Sequence, residues 1–153
     1  MSTIKKAKLR NRRVAIIAMG SGLLLTLVEL IALVIDQTTV HSIAHHVRAL
    51  YAPYGLHPDP NWLFYYLYAT AVIGILLWLT TIWVVRRQKR WARVVATTVF
   101  VVATSIALLN LSVSEYGTRI FPTVWGILGL LPCVAGLVAV ILLWTPGRAK
   151  DEW

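Results

Sequence analysis

The chain has 153 residues, of which 58% are hydrophobic and 14% charged, and its formal net charge is +9. That balance excludes an ordinary soluble domain, and the length leaves room for one domain only. Nucleic acid is excluded as a partner too, because the positive charge sits in short flanks of apolar spans rather than among interleaved aromatic residues.

Four spans, at residues 14–35, 62–85, 94–113 and 122–144, each approach the ~20 apolar residues a helix needs to cross a bilayer. The pattern predicts an all-α integral membrane protein, a four-transmembrane-helix antiparallel bundle forming a single membrane domain. Thirteen of the fifteen lysines and arginines flank one side of these spans. They fall in a basic tail at 1–13, in a basic loop at 86–93 (Arg86, Arg87, Lys89, Arg90, Arg93) and in a second tail at 145–153 (Arg148, Lys150). The positive-inside rule then makes both termini cytoplasmic, N-in and C-in, in a bacterial plasma (inner) membrane. The same clusters predict contact with anionic lipids at the cytoplasmic face of the bilayer, worth about 1 kcal/mol per well-placed residue.

The first span follows a basic segment, as a signal peptide would, yet it is longer than a signal h-region. Asp36, Gln37, Thr38 and Thr39 follow it in place of a small-residue cleavage site, so it reads as an uncleaved anchor. Its small residues Ala15, Ala18 and Gly22 form a stripe for close helix packing. Glu29 is its sharpest residue. A carboxylate at membrane depth costs several kcal/mol unless paired, hydrated or protonated, so it is either a functional acid or a hydrogen-bonded helix contact, with Asn110 as the natural partner.

The connection at 36–61 is long enough to have its own structure. Val40, Ile43, Ala44, Val47, Leu50 and Tyr51 recur at helical spacing, predicting an amphipathic helix over about 38–51, capped by Thr38 or Thr39, on the outer face. His41 and His45 stand four apart, a spacing that can chelate a metal or hold haem, with His46 able to join them. The plainer reading makes them, with Arg48, the polar stripe of an interfacial helix. Pro53, Gly55, Pro58 and Pro60 require turns. Asn61 is placed to cap span two, where Trp62, Tyr65, Tyr66 and Tyr68 fall at the depth aromatic rings prefer.

Span three carries Asn110 near its outer end. The turn at 114–121 follows, with Gly117 to reverse the chain and Glu115 and Arg119 spaced to pair if that segment is helical. In span four Gly126, Gly129, Cys133 and Gly136 form a second small-residue stripe, and Pro132 predicts a bend. Cys133, the single cysteine, has no partner for an intrachain disulfide.

Polar residues therefore gather in the outer half. The leading expectation is a non-enzymatic module that binds a lipid-like ligand or a membrane partner through an outer vestibule. Glu29 and Asn110 would fix the polar head, Trp62, Tyr65 and Tyr66 would line the approach, and Glu115 and Arg119 would lie at the rim. Two alternatives remain open: a small redox enzyme with a histidine-held metal or haem, and a proton- or ion-conducting homo-oligomer dependent on Glu29. There is no phosphate loop, GxSxG or CxxC, and no internal repeat. The four-span plan resembles small bacterial membrane proteins such as the DoxX-like ones in architecture alone, since neither Glu115-Tyr116-Gly117 nor Leu131-Pro132-Cys133 carries a family motif.

Overall fold

The computed structural model describes residues 3–87 and 91–145. Lys89, Arg90 and the tail from residue 146, with Arg148 and Lys150, lie outside the described residues. Four helices are long and apolar enough to cross a membrane: α1 (Thr3–Ile35), α3 (Asn61–Arg86), α4 (Ala92–Ser112) and α5 (Thr123–Trp144). The shorter α2 (Ser42–Tyr51) lies between α1 and α3. Large apolar side chains on the four long helices stand in the open, Ile17 at 67% and Val124 at 66% exposure among them. Such surfaces match lipid rather than water.

The basic segment before span one is helical and continuous with it from Thr3 onward. α1 is helical from Thr3, because lysine, arginine, alanine and leucine are good helix formers and no glycine or proline interrupts them before Gly20. At 33 residues it is about 50 Å long, well beyond a ~30 Å hydrocarbon core. Arg12 Nη2 donates to the Arg86 carbonyl at 3.4 Å, placing a guanidinium on the last turn of α3. A cation there complements the negative end of the helix dipole.

α1 packs on α3 and α5, α4 packs on α5, and the contact between α3 and α4 is the sparsest of these helix pairs. Two apolar clusters hold the set together. One joins Met19, Val84, Val85, Ala92, Ala96 and Ala139. The other lies at the opposite end of the helices, where Leu33, Leu63, Phe64, Leu67, Phe121 and Trp125 meet Ile43, Val47, Leu50 and Tyr51 of α2. Ile43 and Val47 are fully buried, and each such side chain contributes about 2 kcal/mol.

α2 starts at Ser42, four residues later than the sequence suggests. Asp36–Val40 form a π-helical turn, and His41 follows in the left-handed region at φ 57°. Neither Thr38 nor Thr39 caps α2; Thr38 Oγ1 donates back to the Val34 carbonyl at 2.8 Å. The buried Asp36 carboxylate does the capping, accepting the N–H groups of Ser42 and Ile43 at 3.0 and 3.1 Å and the Ser42 hydroxyl. Asn61 does not cap α3 either: it is the first helical residue, and its N–H goes to Asp59 Oδ1 at 3.0 Å.

The turn after α4 is a small antiparallel hairpin, β1 (Ser114–Glu115) and β2 (Thr118–Arg119), rather than a helical segment. Its two central residues, Tyr116 and Gly117, have φ of 51° and 77°. Positive φ at both positions is the requirement of the tight hairpin turn whose twist suits paired strands.

Candidate functional site

The four long helices enclose a cavity of about 170 Å³ in the half nearer α2. α1 supplies Thr26 and Glu29, α3 supplies Leu67 to Trp78, α4 supplies Asn110, and α5 supplies Trp125, Gly126, Gly129 and Cys133. Glu29 and Asn110 thus open on one space, although they are not bonded to each other. Asn110 Oδ1 accepts the Tyr66 hydroxyl at 2.7 Å, leaving its amide nitrogen uncommitted among the described residues.

Glu29 has no hydrogen-bond or ion-pair partner among the described residues. Room for its carboxylate comes from Gly129: a Cβ at that glycine would stand 3.6 Å from Glu29 Oε1. Apart from the Asn110 amide, the other polar groups of the lining are satisfied locally. Thr26 donates to the Gly22 carbonyl at 3.0 Å and Thr70 to the Leu67 carbonyl at 2.9 Å, each within its own helix. The carboxylate is therefore the chief unspent polar group of the cavity, in a space roomy enough for water.

The small-residue stripe on α5 divides in function. Gly126 is packing, since a Cβ there would stand 2.6 Å from Leu111 Cδ1; Gly136 faces Phe100 in the same way at 3.2 Å. Gly126 also borders the cavity, but Gly129 and Cys133, with Pro132 between them, wall it where no bulky neighbour fills the space. Inside α5, Pro132 brings no N–H to the carbonyl of Leu128, which loosens the helix beside the space. Cys133 is half-buried, its Sγ 3.7 Å from the Gly129 carbonyl.

The aromatic lining differs from the one the sequence suggests. Trp62 and Tyr65 are 43% and 69% exposed on α3 and do not border the cavity, whereas Phe121, Trp125 and Trp78 do. Which side of a helix meets its neighbours depends on packing, and an aromatic-rich stretch such as residues 62–68 does not reveal it. Trp125 had no polar signal at all. It is buried, with Nε1 3.5 Å from Ser42 Oγ, linking the cavity wall to the start of α2.

Glu115 and Arg119 sit outside the cavity and do not pair with each other, because the hairpin removes the helical spacing that would bring them together. Glu115 faces Thr118 across the strands and accepts the Tyr51 hydroxyl. That bond, with burial and the negative charge beside it, pushes the Tyr51 hydroxyl up to about 12. Arg119 Nη1 reaches Thr123 Oγ1 at 3.4 Å, and its carbonyl accepts His46 Nε2 at 2.7 Å.

The histidines do not converge. His41 precedes α2 and its Nδ1 donates to the Thr39 carbonyl at 3.1 Å, His45 is exposed, and His46 is committed to the hairpin. Among the described residues no three His, Cys, Asp or Glu side chains stand close enough to hold a metal ion. His41 stands before α2 in the left-handed region, so only His45 and His46 of the three belong to the helix. Comparison with protein-family models, curated proteins and solved structures finds no match to this chain.

Proposed function

We propose that the protein is a non-enzymatic membrane module that binds a lipid-like ligand in the cavity beneath α2. The observation that carries this reading is the Glu29 carboxylate, unpaired among the described residues, lining the same cavity as Asn110 in a space walled mostly by apolar and small side chains. Membrane-buried acids are costly and are kept where they meet a ligand, ion or proton. Glu29 and the free Asn110 amide would fix the head, and Trp125 and Phe121 would cover it.

In this reading the four long helices form an antiparallel bundle in a bacterial plasma membrane, with both termini cytoplasmic. The basic end then faces anionic headgroups. Arg87 lies 5.5 Å over the Trp83 ring and Arg93 5.9 Å over the Trp144 ring, paired as interfacial aromatic and basic anchors usually are. Amphipathic α2 lids the outer face, with His45 and Arg48 towards water.

Mass spectrometry of extracts from mildly solubilised protein tests the reading. Wild type should carry a stoichiometric amphiphile, and Gly129→Leu, which fills the space beside Glu29, should not. Wild type that carries none, or a Gly129→Leu variant equally loaded, would remove the cavity as the binding place. The unpaired carboxylate also favours a second reading, a proton- or ion-conducting homo-oligomer. A flux in liposomes that Glu29→Gln abolishes would put that one ahead.

A further inference from the structure

The space beneath α2 does not stop at Trp78. A second cavity, of about 60 Å³, continues between the same four helices to Met19 and Ala139. Gly74, Leu77, Trp78, Ala103, Pro132 and Cys133 wall both, so the two cavities are neighbours that share one wall, and a side-chain shift at Trp78 would join them into one passage. From Glu29 to Met19 the passage follows ten residues of α1, about 15 Å of helical rise.

The two compartments differ in chemistry. The outer one holds Glu29 and Asn110; the inner one has an almost wholly apolar wall, and its Thr81 hydroxyl is already given to the Leu77 carbonyl at 2.7 Å. The Trp78 ring stands between them, fitted against α1 so tightly that a Cβ on Gly22 would lie 2.3 Å from Cζ2. Among the described residues no lysine, arginine or histidine borders either compartment, and Glu29 is the only charged side chain in their walls.

The wall is also incomplete on one side. Ile73 of α3 and Val102 and Ile106 of α4 border the outer compartment while being 55%, 47% and 39% exposed. They lie along the sparse α3–α4 contact, the side from which an occupant held in the lipid would enter.

Building on the lipid-binding reading above, we propose that the ligand is a single-chain amphiphile with a cationic amine head. Its ammonium sits at Glu29, and its tail passes Trp78 into the inner compartment. An amine supplies the counter-charge that the protein itself withholds from the carboxylate. An alcohol forms a hydrogen bond there but leaves the charge uncompensated, and a carboxylate head sets two like charges together. The inner compartment has about a third of the outer one's volume, which suits one chain rather than two. An extended chain of about twelve carbons covers the 15 Å, given ~1.5 Å bonds in zigzag.

The test uses the full chain in neutral phosphatidylcholine nanodiscs, titrated with dodecylamine, dodecanol and dodecanoate, each brominated at the chain end. Tryptophan quenching is the readout. Expected is saturable quenching by the amine at about tenfold lower mole fraction than by the other two, the scale of one charge-assisted contact. Glu29→Gln should abolish that preference, and Trp78→Phe should remove most of the saturable signal. Equal saturation by all three heads in wild type would overturn the amine assignment while leaving lipid binding intact. Saturation that survives Trp78→Phe undiminished would overturn the placement of the tail. No saturable quenching by any head would sink both this proposal and the lipid-binding reading.

Discussion

Asp36 caps the helix that begins at Ser42: its Oδ1 takes the Ser42 N–H at 3.0 Å and the Ser42 hydroxyl as well. The carboxylate is 4% exposed and its Oδ2 accepts a further N–H from Ile43, so one side chain satisfies two of the orphan donors of α2. Asp36→Ala should destabilise the protein by about 2 kcal/mol, with Asp36→Asn intermediate because it keeps one acceptor oxygen and loses the charge. Hydrogen exchange in micelles checks the cause. The amides of Ser42 and Ile43 must lose protection in Asp36→Ala before those of the long helices do.

Tyr51 and Glu115 make the equivalent tie between α2 and the hairpin. The Tyr51 hydroxyl rises from its ordinary 10 to about 12 in the folded protein. A raised value favours the protonated form on folding, so this stabilisation is complete below pH 10 and is lost as pH climbs from 10 through 12. Tyr51→Phe should lower the thermal midpoint at neutral pH and flatten its alkaline decline over that interval. Parallel curves for the two proteins across the interval would disprove the linkage.

The bond from Tyr66 to Asn110 joins α3 to α4, the most sparsely packed of the neighbouring long-helix pairs. Polar contacts within membranes are weaker than intuition suggests, averaging ~0.6 kcal/mol. A double-mutant cycle with Tyr66→Phe and Asn110→Ala should give a coupling of about that size. Zero coupling would mean that the two side chains do not meet in the bilayer.

Orientation has its own test in single cysteines placed on a Cys133→Ala background. Residues Ala49 and Thr118, both exposed near α2 and the hairpin, should react with an impermeant thiol reagent on intact cells once changed to cysteine. Lys8 and Thr145, exposed at the other end, should react only after lysis. The reverse pattern would invert the protein and move Glu29 to the cytoplasmic half.

The long helices were legible because a crossing segment needs about twenty apolar residues, a signal that no neighbour can supply or hide. Glu29 was legible for the same reason in reverse, as a carboxylate where the solvent cannot hold one. Local starts and stops were not. Thr38 and Thr39 look like caps, but the acceptor that α2 uses comes from the end of α1 across a left-handed His41, a tertiary choice. The hairpin was missed because strands of two residues leave no alternation to read, although Gly117 did mark the reversal. Contacts between spans were hardest. Tyr66 rather than Glu29 meets Asn110, and Trp125 rather than Trp62 walls the cavity, because helix rotation decides both and uniformly apolar spans do not encode it. The glycine stripe on α5 read as packing throughout, whereas Gly129 serves to leave space.

On the lipid-binding reading proposed above, the exposed Ile73, Val102 and Ile106 beside the outer compartment change the units in which this protein should be studied. A pocket that opens sideways draws on a two-dimensional reservoir, so occupancy follows the mole fraction of ligand among lipids and not its concentration in the buffer. Adding more detergent or more empty vesicles would dilute the ligand and unload the protein even at constant total amounts. Purification in excess detergent is itself a washing step for such a site.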